Sequence, residues 1–154
     1  KMDDVDPMDC FIGGLLHDFG KVVFAQFMPQ EFRQALQHCQ SNNVPLHIAL
    51  QEAIGVDHFV VGAMLVEKWR FAPRLIETIR YQHPSNFKDT EMIACVFGGN
   101  QISKKLKFGF GGNTSVDEFP ASVQKRLGGT LDEVIASMGD LNPLFEEAKL
   151  FAKL

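Results

Sequence analysis

The sequence is poor in cysteine and in the large polar aromatics. Its 154 residues include three cysteines, one tryptophan and one tyrosine. Cys10, Cys39 and Cys95 are odd in number and form no C-x-x-C pair, which is untypical of a disulfide framework or a zinc site. We therefore expect buried thiols in a reducing compartment.

Long apolar runs and an excess of positive charge are also missing. No apolar run approaches the roughly 20 residues that span a bilayer, and no basic start leads into a secretory signal. The formal charge is −4 and the pI is about 5.7, so the chain has no general attraction for nucleic-acid phosphates. The short basic cluster at 104–107 does not change this. We expect a cytoplasmic protein that binds neither membrane nor nucleic acid.

What the sequence does contain is helical periodicity from end to end. A hydrophobic content of 45% in a chain of this length predicts one domain with its own core. Period-two alternation is nearly absent, so the predicted fold class is all-α, a compact multi-helix bundle. Caps, prolines and glycines place the predicted helices at 7–16, 22–27, 29–40, 46–54, 58–70, 73–83, 90–106, 121–127, 131–138 and 143–153. The glycine-rich stretch 108–113 is predicted to be a loop.

The first predicted helix and the residues after it carry two expectations about packing. Phe11, Ile12, Leu15 and Leu16 fall at helical spacing, and we expect all four to anchor the core. Glycine has no side chain and tolerates unusual backbone angles, so the pair at 13–14 is expected to allow close helix packing. Gly20 is expected to break the helix and form a turn.

Three polar pairs fall at predicted helix ends. They are His17-Asp18, Asp57-His58 and Gln82-His83. An adjacent imidazole and carboxylate can bind one divalent cation or a pair of them, and helix ends can converge on one point. Taken singly, each histidine could instead be a core or capping residue. Those separate explanations do not account for three such pairs in this order.

The remaining histidines, His38 and His47, have no acidic neighbour in sequence and no comparable position. We interpret both as surface or filler residues.

These residues resemble the HDOD domain (HD-related output domain), a bacterial signalling member of the HD superfamily of metal-dependent phosphohydrolases. The shared pattern is GLLHDFGK at 14–21, Glu52 with GVDH at 55–58, VGA at 61–63, and YQHP at 81–84. It covers about 11–106, with a helical extension at 107–154. The resemblance implies an HD-type helical bundle whose N-terminal helices are missing from this chain.

The resemblance also assigns roles. It implies that the metal ligands are His17, Asp18, His58 and His83, that Lys21 contacts a substrate phosphate, and that the pocket neighbours are Glu52, Asp57, Gln82 and Asn100. The first metal-binding histidine of active relatives has no counterpart here. A divalent metal is the only cofactor it suggests, and its presence stays open.

Two departures from active relatives bear on catalysis. Gln82 replaces the first residue of a double histidine, and Asn100 stands where a late aspartate is expected, so a dication would lose an anionic ligand. The leading hypothesis is therefore an inactive signal-output or scaffold domain that contacts signalling proteins or attached domains. The alternatives are a phosphohydrolase acting on a nucleotide or cyclic dinucleotide, and a nucleotide-binding module without turnover. A homodimer stays open.

Overall fold

A computed structural model describes residues 5–83, 87–108 and 115–151. These residues form helices and no strand, so the all-α prediction is confirmed. The described helices are α1 (Pro7–Leu16), α2 (Phe19–Phe27), α3 (Pro29–Asn42), α4 (Leu46–Ile54), α5 (His58–Lys68), α6 (Pro73–Tyr81), α7 (Glu91–Lys105), α8 (Ala121–Leu127), α9 (Leu131–Ser137) and α10 (Asn142–Phe151). Most of the predicted loop at 108–113 lies outside the described residues.

Local capping chemistry sets several of these boundaries. The side chain of Asp6 accepts a hydrogen bond from the Met8 amide at 2.8 Å, and that of Asp57 accepts one from Val60 at 2.9 Å. Each cap satisfies an amide that has no partner within its own helix. Gly55 ends α4 with a φ of 89°, a left-handed conformation that costs glycine little.

The expected break at Gly20 is wrong in position and in cause. The turn falls at residues 17–18, α2 begins at Phe19, and Gly20 is buried inside that helix. A Cβ at Gly20 would lie 1.9 Å from the carbonyl oxygen of His58, a backbone atom of α5. The residue is therefore needed for the close approach of two helices.

The core consists of three clusters of buried residues, and helices α2 to α9 each contribute to at least one of them. The first joins α2, α3 and α4 through Phe24, Ala35, Cys39, Leu46, Ala49 and Leu50. The second joins α5, α6 and α7 through Ala63, Val66, Leu75, Ile79 and Met92. The third packs α7 against α8, α9 and the preceding segment through Ala94, Phe97, Phe119, Val123 and Leu131. Helix α5 packs against both α2 and α6, which brings the first cluster beside the second.

Only part of α1 is buried as expected. Ile12 and Leu16 pack against the second core cluster, but Phe11 is 65% exposed and Leu15 is 68% exposed. Helical spacing identified an apolar surface correctly, but among the described helices α1 packs mainly against α6 and α7, which cover one side of it. Two of the four α1 residues that were expected in the core, Phe11 and Leu15, therefore form an exposed apolar face.

In the described part of the chain, no single helix is both long and apolar enough to cross a membrane. Helices α4 and α5 meet the criteria of length and composition only when taken together, and they are bent by 80° relative to each other.

Candidate functional site

His17 and Asp18 occupy the short turn between α1 and α2. His17 is the C-cap of α1, and its Nδ1 lies 2.6 Å from the carbonyl oxygen of Gly14. Because a carbonyl only accepts, this contact makes Nδ1 the donor, and Nε2 faces Asp18. Nε2 lies 3.3 Å from Asp18 Oδ2. The turn thus aims both side chains at the same space.

Asp18 is the electrostatic centre of the site. Its Oδ2 accepts a hydrogen bond from Lys21 Nζ at 2.6 Å, one turn along α2, and its Oδ1 lies 3.7 Å from His58 Nε2. Burial raises the pKa of this carboxyl, but the contacts with His17, Lys21 and His58 outweigh burial and hold the pKa well below its ordinary value. Asp18 is therefore ionised and already paired with a cation.

His58 is the first residue of α5 and is almost completely buried. Burial, helped by the nearby charge of Lys21, lowers the pKa of its imidazole to about 3, so the ring is neutral at physiological pH. No described residue forms a hydrogen bond with its Nδ1. A buried nitrogen without a partner is unusual and often marks a site for a ligand or ordered water.

The imidazole rings of His47 and His83 pack against each other at another side of the site, with their planes tilted by 54°. The two ring centroids are 3.8 Å apart, and the ring of His83 lies 5.4 Å from that of Phe59. Burial lowers the pKa of both histidines, that of His83 to about 4. His47 was expected to be a surface or filler residue, and this is wrong. It stands in the first turn of α4, so the helix-end criterion that selected the other three histidines could have found it.

These groups border one cavity of about 600 Å³. Its lining includes His17, Asp18, Lys21, His58, Gln82, His83 and Asn100 from the predicted set. It also includes residues that sequence reasoning did not select, namely His47, Phe59, Gln101, Lys104 and Asp117. The last three lie on α7 or after it, where the sequence shows no doublet or helix-end pattern.

Two expected pocket neighbours do not line this cavity. Glu52 lies on an exposed part of α4, where its Oε2 pairs with Nε2 of His38 at 3.0 Å. Asp57 caps α5 instead, as its contact with the Val60 amide shows. Spacing in sequence identified the right helix ends, but it could not tell which way each side chain points.

Gln82 connects two helices. Its side-chain amide donates to the carbonyl oxygen of His17 at 3.0 Å and to that of Ile79 at 3.3 Å, and the residue is buried. The amide therefore fixes the end of α1, and with it the doublet, against α6. An imidazole could not make both bonds with one nitrogen.

Replacing Gln82 with leucine is expected to lower the free energy of unfolding by about 1 to 3 kcal/mol, because the His17 carbonyl then loses a buried partner. Urea unfolding followed by circular dichroism measures this change. Gln51→Leu is the matched control, since Gln51 makes a similar bond to the Gly55 carbonyl on an exposed surface. An equal loss in both variants would contradict the connecting role of Gln82.

The donor set does not fit a tightly held divalent cation. In the described residues, no three or more side chains of His, Cys, Asp or Glu are grouped so that they could hold a metal ion. Asp18 is the one carboxylate of the predicted ligand set, and the Lys21 ammonium is bound to it. His83 lies with His47, and Asn100 and Gln82 supply neutral amides.

Comparison with known proteins identifies the family. The HDOD domain model matches residues 1–85, earlier in the chain than the resemblance at about 11–106. An uncharacterised protein of Treponema pallidum (strain Nichols) is 29% identical over 120 residues, covering 75% of this chain and 22% of that protein. A solved HDOD domain protein of unknown function from Geobacter sulfurreducens has a TM-score of 0.76 and 23% identity over 96% of this chain.

This chain spans only 54% of the solved Geobacter protein and about a fifth of the Treponema protein. The structural likeness shows that the fold is shared. The family model covers 85 of 154 residues, and its matched region contains the doublet, His58 and Gln82-His83. The chain belongs to the HDOD domain family.

Proposed function

We propose that this chain is a regulatory domain that does not hydrolyse phosphate esters and that passes a signal through contacts with a bacterial protein partner or an attached domain. The observation that carries the proposal is the 2.6 Å ion pair between Lys21 and Asp18. The resemblance to active HD hydrolases implies that the doublet carboxylate binds the cation and that the lysine contacts the substrate phosphate. In this chain the Lys21 ammonium and the Asp18 carboxylate form an ion pair with each other instead.

The exposed apolar face of α1 supports the second half of the proposal. Phe11 and Leu15 lie on the same side of the helix, and both are more than 60% exposed. Contiguous exposed apolar residues are typical of surfaces that contact other proteins. Because His17 is the C-cap of α1, a contact on this face is directly connected to the site.

Turnover assays test the proposal. The chain is incubated with p-nitrophenyl phosphate and with bis-p-nitrophenyl phosphate at saturating manganese or iron, beside an active HD-superfamily hydrolase. We expect no release of nitrophenol above the level of the His17→Ala variant. Metal-dependent turnover that is lost in His17→Ala would show that the domain is an enzyme.

A second function, binding of a nucleotide without cleavage, is favoured by Lys104. This residue lines the cavity from α7, and burial lowers the pKa of its ammonium. Within the described residues, the carboxylates of Asp117 and Asp18 attract this ammonium through their charge. A partly buried cation in a cavity that is also lined by the rings of His47, Phe59 and His83 suits a ligand that carries both a phosphate and a planar base.

Replacing Lys104 with alanine is expected to weaken nucleotide binding about tenfold or more, since a charge-assisted hydrogen bond contributes about 1.5 to 3 kcal/mol. Isothermal titration calorimetry with a panel of mononucleotides and cyclic dinucleotides measures the affinities. Lys68→Ala, at the exposed end of α5, is the control and should bind like the parent chain. Absence of binding heat across the panel would rule out this second function and leave the first intact.

A further inference from the structure

We propose that the loop between α5 and α6 is a docking site for an acidic, apolar segment of a partner protein. The site consists of the side chains of Phe19, Trp69 and Phe71, hereafter the aromatic patch, and of the cations Lys68 and Arg70. It contains none of the α1 residues on which the proposed partner contact rests. It also does not depend on whether the chain hydrolyses phosphate esters.

The aromatic patch lies at the surface, although large aromatic side chains are mostly buried in folded proteins. Trp69 is the one tryptophan of the sequence, and it is 49% exposed, while Phe71 is 38% exposed. The ring of Trp69 contacts that of Phe19 edge to face at 5.4 Å between centroids, and it lies 6.4 Å from the ring of Phe71. Tryptophan is among the residue types that contribute most to binding at protein interfaces.

Hydrogen bonds fix the backbone of this loop. The Arg70 amide donates to the Glu67 carbonyl at 2.9 Å, and the Phe71 amide donates to the Val66 carbonyl at 3.1 Å, which is the pattern of a Schellman motif. Trp69 and Phe71 are therefore presented by a turn that is already formed. A partner needs to order little of this backbone on binding, and this favours affinity.

Arg70 occupies a backbone position that favours glycine. Its φ is 61°, in the left-handed region, where a residue with a Cβ is strained. Helices α4 and α8 end in the same left-handed conformation, but there the residues are Gly55 and Gly128. Within the described residues, the Arg70 side chain forms no hydrogen bond or ion pair that would compensate for this strain. Its guanidinium is therefore available to a partner.

The charge beside the aromatic patch selects the class of partner. Lys68 and Arg70 are exposed, and neither has an ion-pair partner in the described part of the chain. The neighbouring Glu67 lies 3.8 Å from Arg80. Aromatic rings with two flanking cations complement a segment in which apolar side chains alternate with Asp or Glu. The formal charge of −4 on the whole chain opposes adsorption to an anionic lipid surface, so we assign the site to a protein segment.

The fluorescence of Trp69 reports binding at its own site. The chain is titrated with a synthetic amphipathic peptide that has leucine on one face and glutamate on the other, and with the same peptide carrying lysine in place of glutamate. Neither peptide contains tryptophan. We expect the acidic peptide to shift the emission to shorter wavelength and to bind about tenfold or more tightly than the basic one. This difference should shrink as the salt concentration rises.

Two variants separate docking from folding. Arg70→Gly removes the backbone strain, so its melting temperature should equal or exceed that of the parent chain, while its affinity for the acidic peptide should fall about threefold. The double variant Lys68→Glu, Arg70→Glu should lose about tenfold or more in affinity. Lys125→Glu, at an exposed position of α8, is the control and should bind the peptide as the parent chain does.

Equal affinity for the two peptides, or no change in emission with the acidic one, would overturn the proposal. So would a shift that appears when the chain alone is concentrated, because the occupant would then be a second copy. Binding of phosphatidylserine vesicles but not of the acidic peptide would identify a membrane surface instead and would also overturn it. None of these results bears on hydrolysis, which the turnover assays test separately.

Discussion

Replacing Gly20 with alanine is expected to cause the largest loss of stability among single small substitutions. The new Cβ would lie 1.9 Å from the His58 carbonyl oxygen and 3.0 Å from the Gly62 amide nitrogen, both backbone atoms of α5. Backbone cannot yield as a flexible side chain can, so α2 must separate from α5. We expect a loss of about 3 kcal/mol or more, which lowers the melting temperature by about 10 °C in a chain of this size.

Gly14→Ala is the matched control for this effect. Gly14 lies in α1 and is exposed, and a Cβ there would meet no atom within 4 Å. Alanine favours a helix over glycine by roughly 1 kcal/mol, so this variant should be unchanged or slightly more stable. Differential scanning calorimetry of both variants makes the comparison. An unchanged melting temperature for Gly20→Ala would mean that α2 and α5 are not in close contact.

Stability is expected to fall steeply as the pH drops from about 6.5 towards 4. His58 is neutral when folded, with a pKa of about 3, whereas its ordinary value is 6.5. Below pH 6.5 the unfolded chain therefore binds a proton that the folded chain does not, and each pH unit costs about 1.4 kcal/mol. Between pH 6.5 and 4.5 the loss from this residue is on the order of 2 to 3 kcal/mol. His83 acts in the same direction, since its folded pKa is about 4.

The pH window distinguishes this effect from the titration of Asp18, which has the same sign. The pKa of Asp18 is also lowered on folding, but its ordinary value is 3.8, so its contribution is lost only at still lower pH. Urea midpoints at several pH values between 4.5 and 7 report the histidines. His58→Gln should weaken the dependence of the urea midpoint on pH. His38→Gln should leave it unchanged, because His38 lies at the surface, where it pairs with Glu52. A parent chain whose stability is constant over this range would contradict the burial of neutral His58.

Helix positions could be predicted from the sequence because their signals are local. Asp57 and Gly55 begin and end helices through contacts within four residues, and these appear in the structure as expected. Exposure is not local. Phe11 and Leu15 have the spacing of core residues, but whether an apolar stripe is covered depends on which helices pack against it.

In the candidate site, too, the features with a local signal could be predicted and those that depend on helix packing could not. His17, Asp18 and His58 could be placed together because three helix ends converge on them, and the structure brings these residues into contact. His47 was missed because it belongs to no polar pair such as His17-Asp18 or Gln82-His83, although it too stands at a helix start. The direction of the Glu52 side chain and the contribution of Lys104 depend on how α4 and α7 are rotated about their axes, which no motif encodes.

Metal content tests the central proposal most directly. The chain is saturated with manganese or iron, freed of loosely bound ions by gel filtration, and analysed by inductively coupled plasma mass spectrometry beside His17→Ala. Because Lys21 is already bound to Asp18, we predict metal far below one ion per chain, with no difference between the two proteins. One or two ions per chain, lost in His17→Ala, would contradict the account.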